Sequence, residues 1–147
     1  MKFKIFKNGI TPVRKHEEDG GVDIFLPEEI YIKPSDTIKV GLGIGVQIPH
    51  GYAGQLVPRS SIASQGLSVY TPLIDEGYTG ELFLIAQNTN LHHLQYNRGD
   101  RICSLVVFKV SDDKSIEVVD EFPKTSRGDG GLGSTGKWVN KNWDFLW

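Results

Sequence analysis

The chain has 147 residues, and its 16 basic and 18 acidic residues give a formal net charge of -2. Hydrophobic residues make up 39% and charged residues 23%, which is typical of a soluble globular domain with its own core. The charge excludes the broad basic surface that holds a nucleic-acid polymer, and no run of roughly 20 apolar residues could span a membrane. The single cysteine excludes internal disulfides and favours a reducing, cytoplasmic compartment.

Strand signals follow one another along most of the chain, and turn residues separate them. In chain order they are KFKIF, VDIFL, IYIK, TIKVGLGIGVQI, GQLVP, ELFLIAQN, RICSLVVFKV and IEVVD. Many short strands at spacings of about ten residues predict an all-β barrel or sandwich. Only SSIASQGL, residues 60–67, favours a helix, and that helix would be short.

The first candidate site residue is Asp23, in GGVDIFLPEE. Its carboxylate interrupts a strand that is otherwise apolar at Val22, Ile24 and Leu26. A carboxylate in this position can hold magnesium, through a water molecule.

A second cluster, PRSSIASQGL, places Arg59, Ser60 and Ser61 where a strand ends and the short helix begins. The N-terminus of a helix binds anions through its unpaired N–H groups and its dipole. Taken alone, the cluster is explained more simply by capping of the helix by Ser60 or Ser61, with Arg59 as a surface charge.

The third and fourth clusters surround two further turns. In LIDEGYTGELFLIAQN, Asp75 follows a short apolar run and can serve as a general base that activates water, although acids are also common in plain hairpin turns. In NRGDRICSLVVFKV, we expect Asp100 and Arg101 to form a structural ion pair. Cys103 is expected to lie in the core and not to act as a nucleophile.

The composition changes near residue 126, where a glycine-rich segment begins. Five of the ten residues 127–136, RGDGGLGSTG, are glycine. Backbone N–H groups of such a run can surround a phosphate, with Arg127, Ser134 and Thr135 as added donors. A flexible linker is the alternative. We predict that residues 126–147 form a mobile glycine-rich lid with an aromatic tail.

The sequence GLGSTGKW within this segment nearly matches the phosphate-binding loop GxxxxGK[ST]. Trp138 replaces the hydroxyl residue that would bind magnesium, and only nine residues follow it. A phosphate-binding loop of that kind must open a helix that leads into further βα units. We therefore do not expect a P-loop NTPase.

Five segments taken in order resemble the five motifs of the trimeric dUTPase family, across roughly residues 18–136. They are GGVDIFLPEE, PRSSIASQGL, LIDEGYTGEL, NRGDRICSLVV and RGDGGLGSTG. The sequence IDEGYTGE, the shortened hairpin before it and a tryptophan soon after GSTG resemble the retroviral and phage branches. The resemblance implies a jelly-roll-like β-barrel of the β-clip type, with residues 1–147 as one domain. It also implies a homotrimer in which each C-terminal arm closes over a neighbouring subunit.

The chemistry implied by the resemblance is hydrolysis of dUTP to dUMP and pyrophosphate. This reaction supplies dUMP for dTTP synthesis and keeps uracil out of DNA. Asp75 matches the aspartate that orients and deprotonates the water attacking the α-phosphorus. Asp23 matches the aspartate associated, through water, with the Mg²⁺ of the triphosphate.

The resemblance also assigns substrate contacts. The second motif would bind phosphates, Tyr78 would pack on the deoxyribose, the hairpin of residues 67–74 would read uracil, and the arm would hold the β- and γ-phosphates. The substrate-binding residues so implied are Arg59, Ser60, Ser61, Thr71, Leu73, Ile74, Tyr78, Ser104, Arg127, Leu132, Gly133, Ser134 and Thr135.

Three positions depart from the family pattern. Leu132 stands where a phenylalanine commonly stacks on uracil, and Ser104 stands where glutamine is usual. Thr71 stands where asparagine is common, in a hairpin about two residues shorter than in many relatives. None of these departures involves Asp75, Asp23 or Arg127.

Two other functions are compatible with parts of the pattern. A dCTP deaminase shares the scaffold. That family has a glutamate at the position of Ile85 and an arginine near the position of Ser64, and this chain has neither. A regulatory protein partner is the second alternative, either in place of catalysis or beside it, and the aromatic tail is the feature that favours it.

Overall fold

The computed structural model describes residues 1–111 and 115–128. The chain divides into two compact units, residues 1–113 and residues 114–147. The described secondary structure lies in the first unit. Its elements are β1 (Lys2–Ile5), β2 (Gly21–Phe25), β3 (Ile30–Ile32), β4 (Thr37–Gln47), β5 (Tyr52–Pro58), α1 (Ser60–Ala63), β6 (Leu67–Val69), β7 (Glu81–Asn88), β8 (Leu94–Tyr96) and β9 (Arg101–Lys109).

The strands form three antiparallel sheets, in the orders β1-β4-β7-β6, β2-β9-β5 and β3-β8. This architecture confirms the prediction of an all-β fold. Within residues 1–111 and 115–128, no helix is long and apolar enough to cross a bilayer.

The core follows from the alternation of side chains along the strands. In β7 every second residue is buried, which turns Leu82, Leu84 and Ala86 inward. Residues of β2, β4, β5 and β9 complete the same cluster. The alternation leaves Asp23, between buried Val22 and Ile24, on the face of β2 opposite the core.

One predicted strand is wrong. The run IEVVD, residues 116–120, forms no strand, and Ile116 and Val118 are each 93% exposed. A β-branched sequence becomes a strand only where a partner strand binds its backbone groups, and residues 116–120 belong to none of the sheets in the described parts of the chain. The strands β6 and β8, three residues each, have sequence signals too short to predict.

Candidate functional site

Asp23 is the centre of a cluster of polar side chains on the sheet β2-β9-β5. Its Oδ1 lies 3.3 Å from Arg59 Nε and accepts a hydrogen bond of 3.0 Å from Ser104 Oγ. Its Oδ2 accepts a hydrogen bond of 3.1 Å from Arg101 Nη1. Because the Asp23 side chain is only 16% exposed, these contacts are partly shielded from solvent.

The backbone explains how the three partners reach Asp23. Ser104 lies directly opposite Asp23 in the β2–β9 ladder. Strand β5 ends at Pro58, opposite Cys103, so that Arg59 emerges beside the same point. A register shift between Ile24 and Phe25 marks a bulge, at which successive β9 residues Ile102 and Cys103 are both buried. Residues three positions apart normally lie on opposite faces of a strand. The bulge interrupts this alternation once, so Arg101 and Ser104 lie on the same face.

Arg101 is a residue for which the sequence-based assignment is wrong. We expected it to pair with Asp100, but it pairs with Asp23, while Asp100 Oδ2 accepts the N–H of Asn97 at 2.8 Å. The partner across the sheet was not predictable because the bulge that selects it leaves no signal in the local sequence.

Two cavities meet at the arginine pair. The first, which we call the Asp23 cavity, has a volume of about 370 Å³. It is lined by Lys15, His16, Asp19, Gly20, Gly21, Asp23, Arg59, Arg101 and Ser104. The second, about 460 Å³, shares Arg59 and Arg101 and adds Ser61. Two guanidinium groups against one Asp23 carboxylate leave a net positive charge at the junction, which suits a polyanion.

The donors around Asp23 suit a magnesium ion only when a substrate brings most of its ligands. No group of three His, Cys, Asp or Glu side chains in the described parts of the chain could hold a metal ion. Both carboxylate oxygens of Asp23 already accept from a guanidinium or a hydroxyl. Magnesium commonly binds through few carboxylates, substrate phosphates and retained waters, so contact through water fits this site.

Helix α1 has a single turn, and the capping interpretation of its serines is wrong. Its N-cap is Arg59, which makes no side-chain cap hydrogen bond. The Arg59 carbonyl accepts the N–H groups of Ile62 and Ala63, each at 2.9 Å. The side chains of Ser60 and Ser61 are thus not used as N-caps, and Ser61 lines the second cavity.

Asp75 lies in a turn that is fixed by its neighbours on both sides. Ile74 is buried and exchanges two backbone hydrogen bonds of 2.8 Å with Gly54 of β5. The carbonyl of Asp75 accepts the Tyr78 N–H at 3.1 Å, which closes the turn. The Tyr78 hydroxyl donates to the Glu81 carbonyl at 2.6 Å and so holds its ring in place. The Asp75 carboxylate itself is exposed.

Glu76 provides a further anchor that the sequence did not reveal. Its Oε2 accepts the Gly51 N–H at 2.7 Å, and its Oε1 lies 3.3 Å from His50 Nδ1. These contacts join the Asp75 turn to the turn before β5. An acid next to a glycine in a turn has many ordinary explanations, so the sequence alone could not assign this role.

A third cavity, about 280 Å³, opens beside Asp75, and we call it the hairpin cavity. It is lined by Lys39, Thr71, Pro72, Leu73, Ile74, Asp75, Tyr78, Glu81, Leu82, Phe83 and Ile85. Its wall is mostly apolar, and Lys39 Nζ lies 4.3 Å from the centre of the Phe83 ring. The hydroxyl oxygen of Thr71 is buried and has no hydrogen-bond partner among the residues that the structure describes.

Cys103 lies in the core, as the sequence predicts, and is fully buried. Burial, and secondarily the negative charge of Asp23, raise the pKa of its thiol to about 12. A thiol with this pKa carries almost no thiolate at neutral pH, so Cys103 is not a nucleophile.

The site residues expected from the sequence therefore fall into two groups within one chain. Asp23, Arg59 and Ser104 are in direct contact, whereas Thr71, Leu73, Ile74, Asp75 and Tyr78 line the hairpin cavity. The Asp23 cavity and the hairpin cavity share no lining residue. Arg127 belongs to the second unit, and Leu132, Gly133, Ser134 and Thr135 lie outside the described residues.

Comparison with known proteins gives consistent matches. The profile of the dUTPase family matches residues 7–136. The deoxyuridine 5'-triphosphate nucleotidohydrolase of Tropheryma whipplei (strain Twist) is 39% identical over 137 residues, which cover 90% of this chain and 93% of that protein.

Two solved structures of phage dUTPases have the same fold. The Staphylococcus bacteriophage 80alpha dUTPase with dUPNHPP gives a TM-score of 0.86 at 28% identity, covering 92% of this chain and 98% of that chain. Phage dUTPases of this kind control the transfer of virulence genes by a proto-oncogenic G protein-like mechanism. The second is a mutant dUTPase from phage phi11 of S. aureus that coordinates a structural Mg(II) ion. It gives a TM-score of 0.78 at 26% identity, covering 84% of this chain and 98% of that chain.

The family profile covers most of the chain, and the curated relative aligns over nearly its whole length. The polar cluster around Asp23 and the turn that carries Asp75 both lie inside the matched range. The chain belongs to the dUTPase family.

Proposed function

We propose that the protein hydrolyses dUTP to dUMP and pyrophosphate, which supplies dUMP for dTTP synthesis and keeps uracil out of DNA. The observation that carries the proposal is the match to the dUTPase family over residues 7–136, with Asp75 beside an apolar cavity inside that range. The curated relative with this activity covers 90% of the chain.

The hairpin cavity suits the nucleoside part of the substrate. Its apolar wall, which includes Leu73, Ile74 and Phe83, can enclose a pyrimidine, and the hairpin that forms part of this wall would exclude an added methyl group by steric contact. The ring of Tyr78, held by its hydroxyl bond to the Glu81 carbonyl, packs against the deoxyribose. A ribose would bring its 2'-hydroxyl against that ring.

Asp75 acts as the general base. Its carboxylate is exposed at the cavity, while the turn that carries it is anchored through Ile74 and Glu76. A water molecule gives its proton to Asp75 and attacks the α-phosphorus, and pyrophosphate leaves with the electrons of the broken P–O bond. A fixed backbone with an open carboxylate provides the required orientation without blocking water.

The phosphate chain binds at the arginine pair. Arg59 and Arg101 carry positive charge toward both adjoining cavities, and the hydroxyl of Ser61, which lines the second cavity, would add a hydrogen bond. The family motif assigns a phosphate contact to Ser60 as well. Ser104 donates to Asp23, so it helps to orient the carboxylate and with it the arginines. Mg²⁺ bound to the triphosphate neutralises charge and fixes its geometry, and Asp23 would contact it through water.

The active site is shared between subunits of a homotrimer. In one chain Asp75 and Asp23 line separate cavities, an arrangement that fits a site in which the base of one subunit meets the phosphate site of another. The arm would complete the site, with Arg127, Ser134 and Thr135 on the outer phosphates and Leu132 and Gly133 over the base. Cyclic symmetry would make all the sites equivalent.

The alternative of a deaminase receives less support. Ile85, at the position where a deaminase needs its carboxylate, lines the hairpin cavity as an apolar residue. The one other carboxylate on that wall besides Asp75, Glu81, accepts the Gly43 N–H at 2.8 Å and is thereby held toward β4.

A regulatory role beside hydrolysis is a second candidate. The phage 80alpha dUTPase, which aligns with 92% of this chain, is described as acting in the control of gene transfer. Deletion of residues 139–147 would separate the two roles if binding to a partner protein were lost while dUTP hydrolysis persisted.

Pyrophosphate release from dUTP, dCTP, dTTP and UTP, with Mg²⁺ and with EDTA, tests the reaction, the base and the sugar together. We expect rapid release from dUTP alone, and slower release in EDTA. Release of ammonia from dCTP would support the deaminase instead, and a protein inert toward dUTP in Mg²⁺ would refute the proposal.

A further inference from the structure

Two basic residues outside the five motifs, Lys15 and His16, line the Asp23 cavity. The loop that carries them is tied to the site at its base, because Val13 and Asp23 exchange backbone hydrogen bonds of 3.1 and 2.8 Å. The loop is also closed on itself, since the His16 N–H donates to Asp19 Oδ2 at 2.9 Å and the Asp19 N–H donates to the His16 carbonyl at 3.2 Å. The position of Lys15 and His16 beside Asp23 is therefore set by the fold.

The charges in this cavity are unevenly compensated. Asp23 is engaged by Arg59 and Arg101, and one carboxylate oxygen of Asp19 is engaged by a backbone N–H. The side chains of Lys15 and His16 are exposed and make no hydrogen bond or ion pair with the described residues. An ammonium group beside two guanidinium groups is repelled by them until an anion enters.

We propose that Lys15, assisted by His16, binds the two phosphates farthest from the nucleoside. The proposal rests on dUTP as the substrate. Arg59 and Arg101 border both adjoining cavities, whereas Lys15 and His16 line only the Asp23 cavity, so they extend the cationic wall beyond the arginine pair. A lysine serves as a point charge for phosphate and does not need the planar geometry of an arginine.

This role makes affinity depend on the length of the phosphate chain. A group that touches only the outer phosphates contributes to the binding of a triphosphate and of free pyrophosphate. It contributes nothing to the binding of dUMP, whose single phosphate lies next to the nucleoside. Lys15 thus favours dUTP over dUMP, and a residue of general structural importance would not discriminate in this way.

The test compares Lys15→Met with Arg14→Met by calorimetry. Arg14 is the adjacent basic residue, is also exposed and does not line the cavity, so its replacement controls for the loss of one positive charge. The ligands are the non-hydrolysable analogue dUPNHPP, pyrophosphate and dUMP, at one salt concentration. We expect Lys15→Met to lower the affinity for dUPNHPP about tenfold and the affinity for pyrophosphate by a similar factor, while the affinity for dUMP stays unchanged. Arg14→Met should change each of these three affinities by less than about twofold.

Two further variants complete the design. Lys15→Arg should retain most of the affinity for dUPNHPP. His16→Gln should lower that affinity about threefold, because His16 only assists Lys15 in binding the outer phosphates. The assignment would be overturned if Lys15→Met bound dUPNHPP as tightly as the wild type. It would also be overturned if Lys15→Met lost affinity for dUMP as much as for dUPNHPP, or if Arg14→Met lost affinity for dUPNHPP to the same extent. Failure of the wild type to bind dUPNHPP would instead overturn dUTP as the substrate.

Discussion

Asp23 and Arg59 form an ion pair, with 3.3 Å between the carboxylate Oδ1 and the guanidinium Nε, and Arg101 binds the other carboxylate oxygen. The Asp23 carboxylate thus fixes the spacing of two arginines, Arg101 on β9 and Arg59 between β5 and α1. The arginine side chains remain 30% and 37% exposed, so they can bind an anion without releasing Asp23. In this arrangement Asp23 orders both guanidinium groups, and with them the proposed phosphate site, without the help of a metal ion.

Asp23→Asn should therefore weaken nucleotide binding even without metal. The neutral amide keeps the shape but attracts the guanidinium groups less, so both arginines become less ordered. We expect dUPNHPP to bind several-fold more weakly in EDTA as well as in Mg²⁺, measured by calorimetry. If the loss appeared only in Mg²⁺, Asp23 would act through the metal alone.

Thr71→Val should have opposite effects on the free protein and on the complex. The buried hydroxyl of Thr71 is without a partner in the described parts of the chain, and such a group costs about 1–3 kcal/mol. Valine removes that cost, so the free protein should unfold at an equal or higher temperature. If the hydroxyl bonds to the pyrimidine, dUPNHPP affinity should fall several-fold, and Thr71→Ser should retain it.

Thr89→Val is the matched control for this change. The Thr89 hydroxyl donates to the Gly66 carbonyl at 2.8 Å, so its removal should lower stability and leave nucleotide binding unchanged. A Thr71→Val protein that is less stable, or that binds dUPNHPP as tightly as wild type, would show that Thr71 serves the fold.

Glu76→Ala should reduce kcat more than it raises KM. Glu76 joins the Asp75 turn to Gly51, and its loss lets the base move without removing a contact to substrate. We expect kcat to fall about tenfold at nearly constant KM in steady-state assays, with Glu76→Gln retaining part of the activity. An unchanged kcat would mean that Ile74 alone positions the turn.

The raised pKa of Cys103 should appear in the alkaline stability of the fold. The pKa is raised from 9.0 to about 12, so between these values the unfolded chain releases a proton that the folded chain keeps. Stability is therefore lost as pH rises through this window. When the pH is raised from 8 to 10, the free energy of unfolding, measured in urea, should fall by about 1 kcal/mol more in the wild type than in Cys103→Ala. Equal losses in the two proteins would contradict the shift.

The sequence predicted the fold class and most strands because the core strands alternate cleanly, as in β7 with Leu82, Leu84 and Ala86. Motif order also located Asp23, Arg59 and Asp75. The partner of Arg101 could not be predicted, because it depends on a bulge in the β2–β9 register.

Two other features also depend on tertiary structure. The run IEVVD has strand composition but no neighbouring strand among the described residues, so its composition was misleading. Lys15 and His16 lie in a charged stretch without a motif, and only the pairing of Val13 with Asp23 brings them to the site. Long-range pairing decided all of these cases, and local sequence does not encode it.

The central claim is that the carboxylate of Asp75 removes the proton of the attacking water, and Asp75→Asn tests it most directly. The amide keeps the size of the side chain, so single-turnover hydrolysis of dUTP and equilibrium binding of dUPNHPP can be compared in one protein. We expect hydrolysis to fall by a factor of about 10²–10⁴ while the affinity for dUPNHPP changes by less than about threefold. Hydrolysis at the wild-type rate, or a loss of binding as large as the loss of rate, would contradict this role.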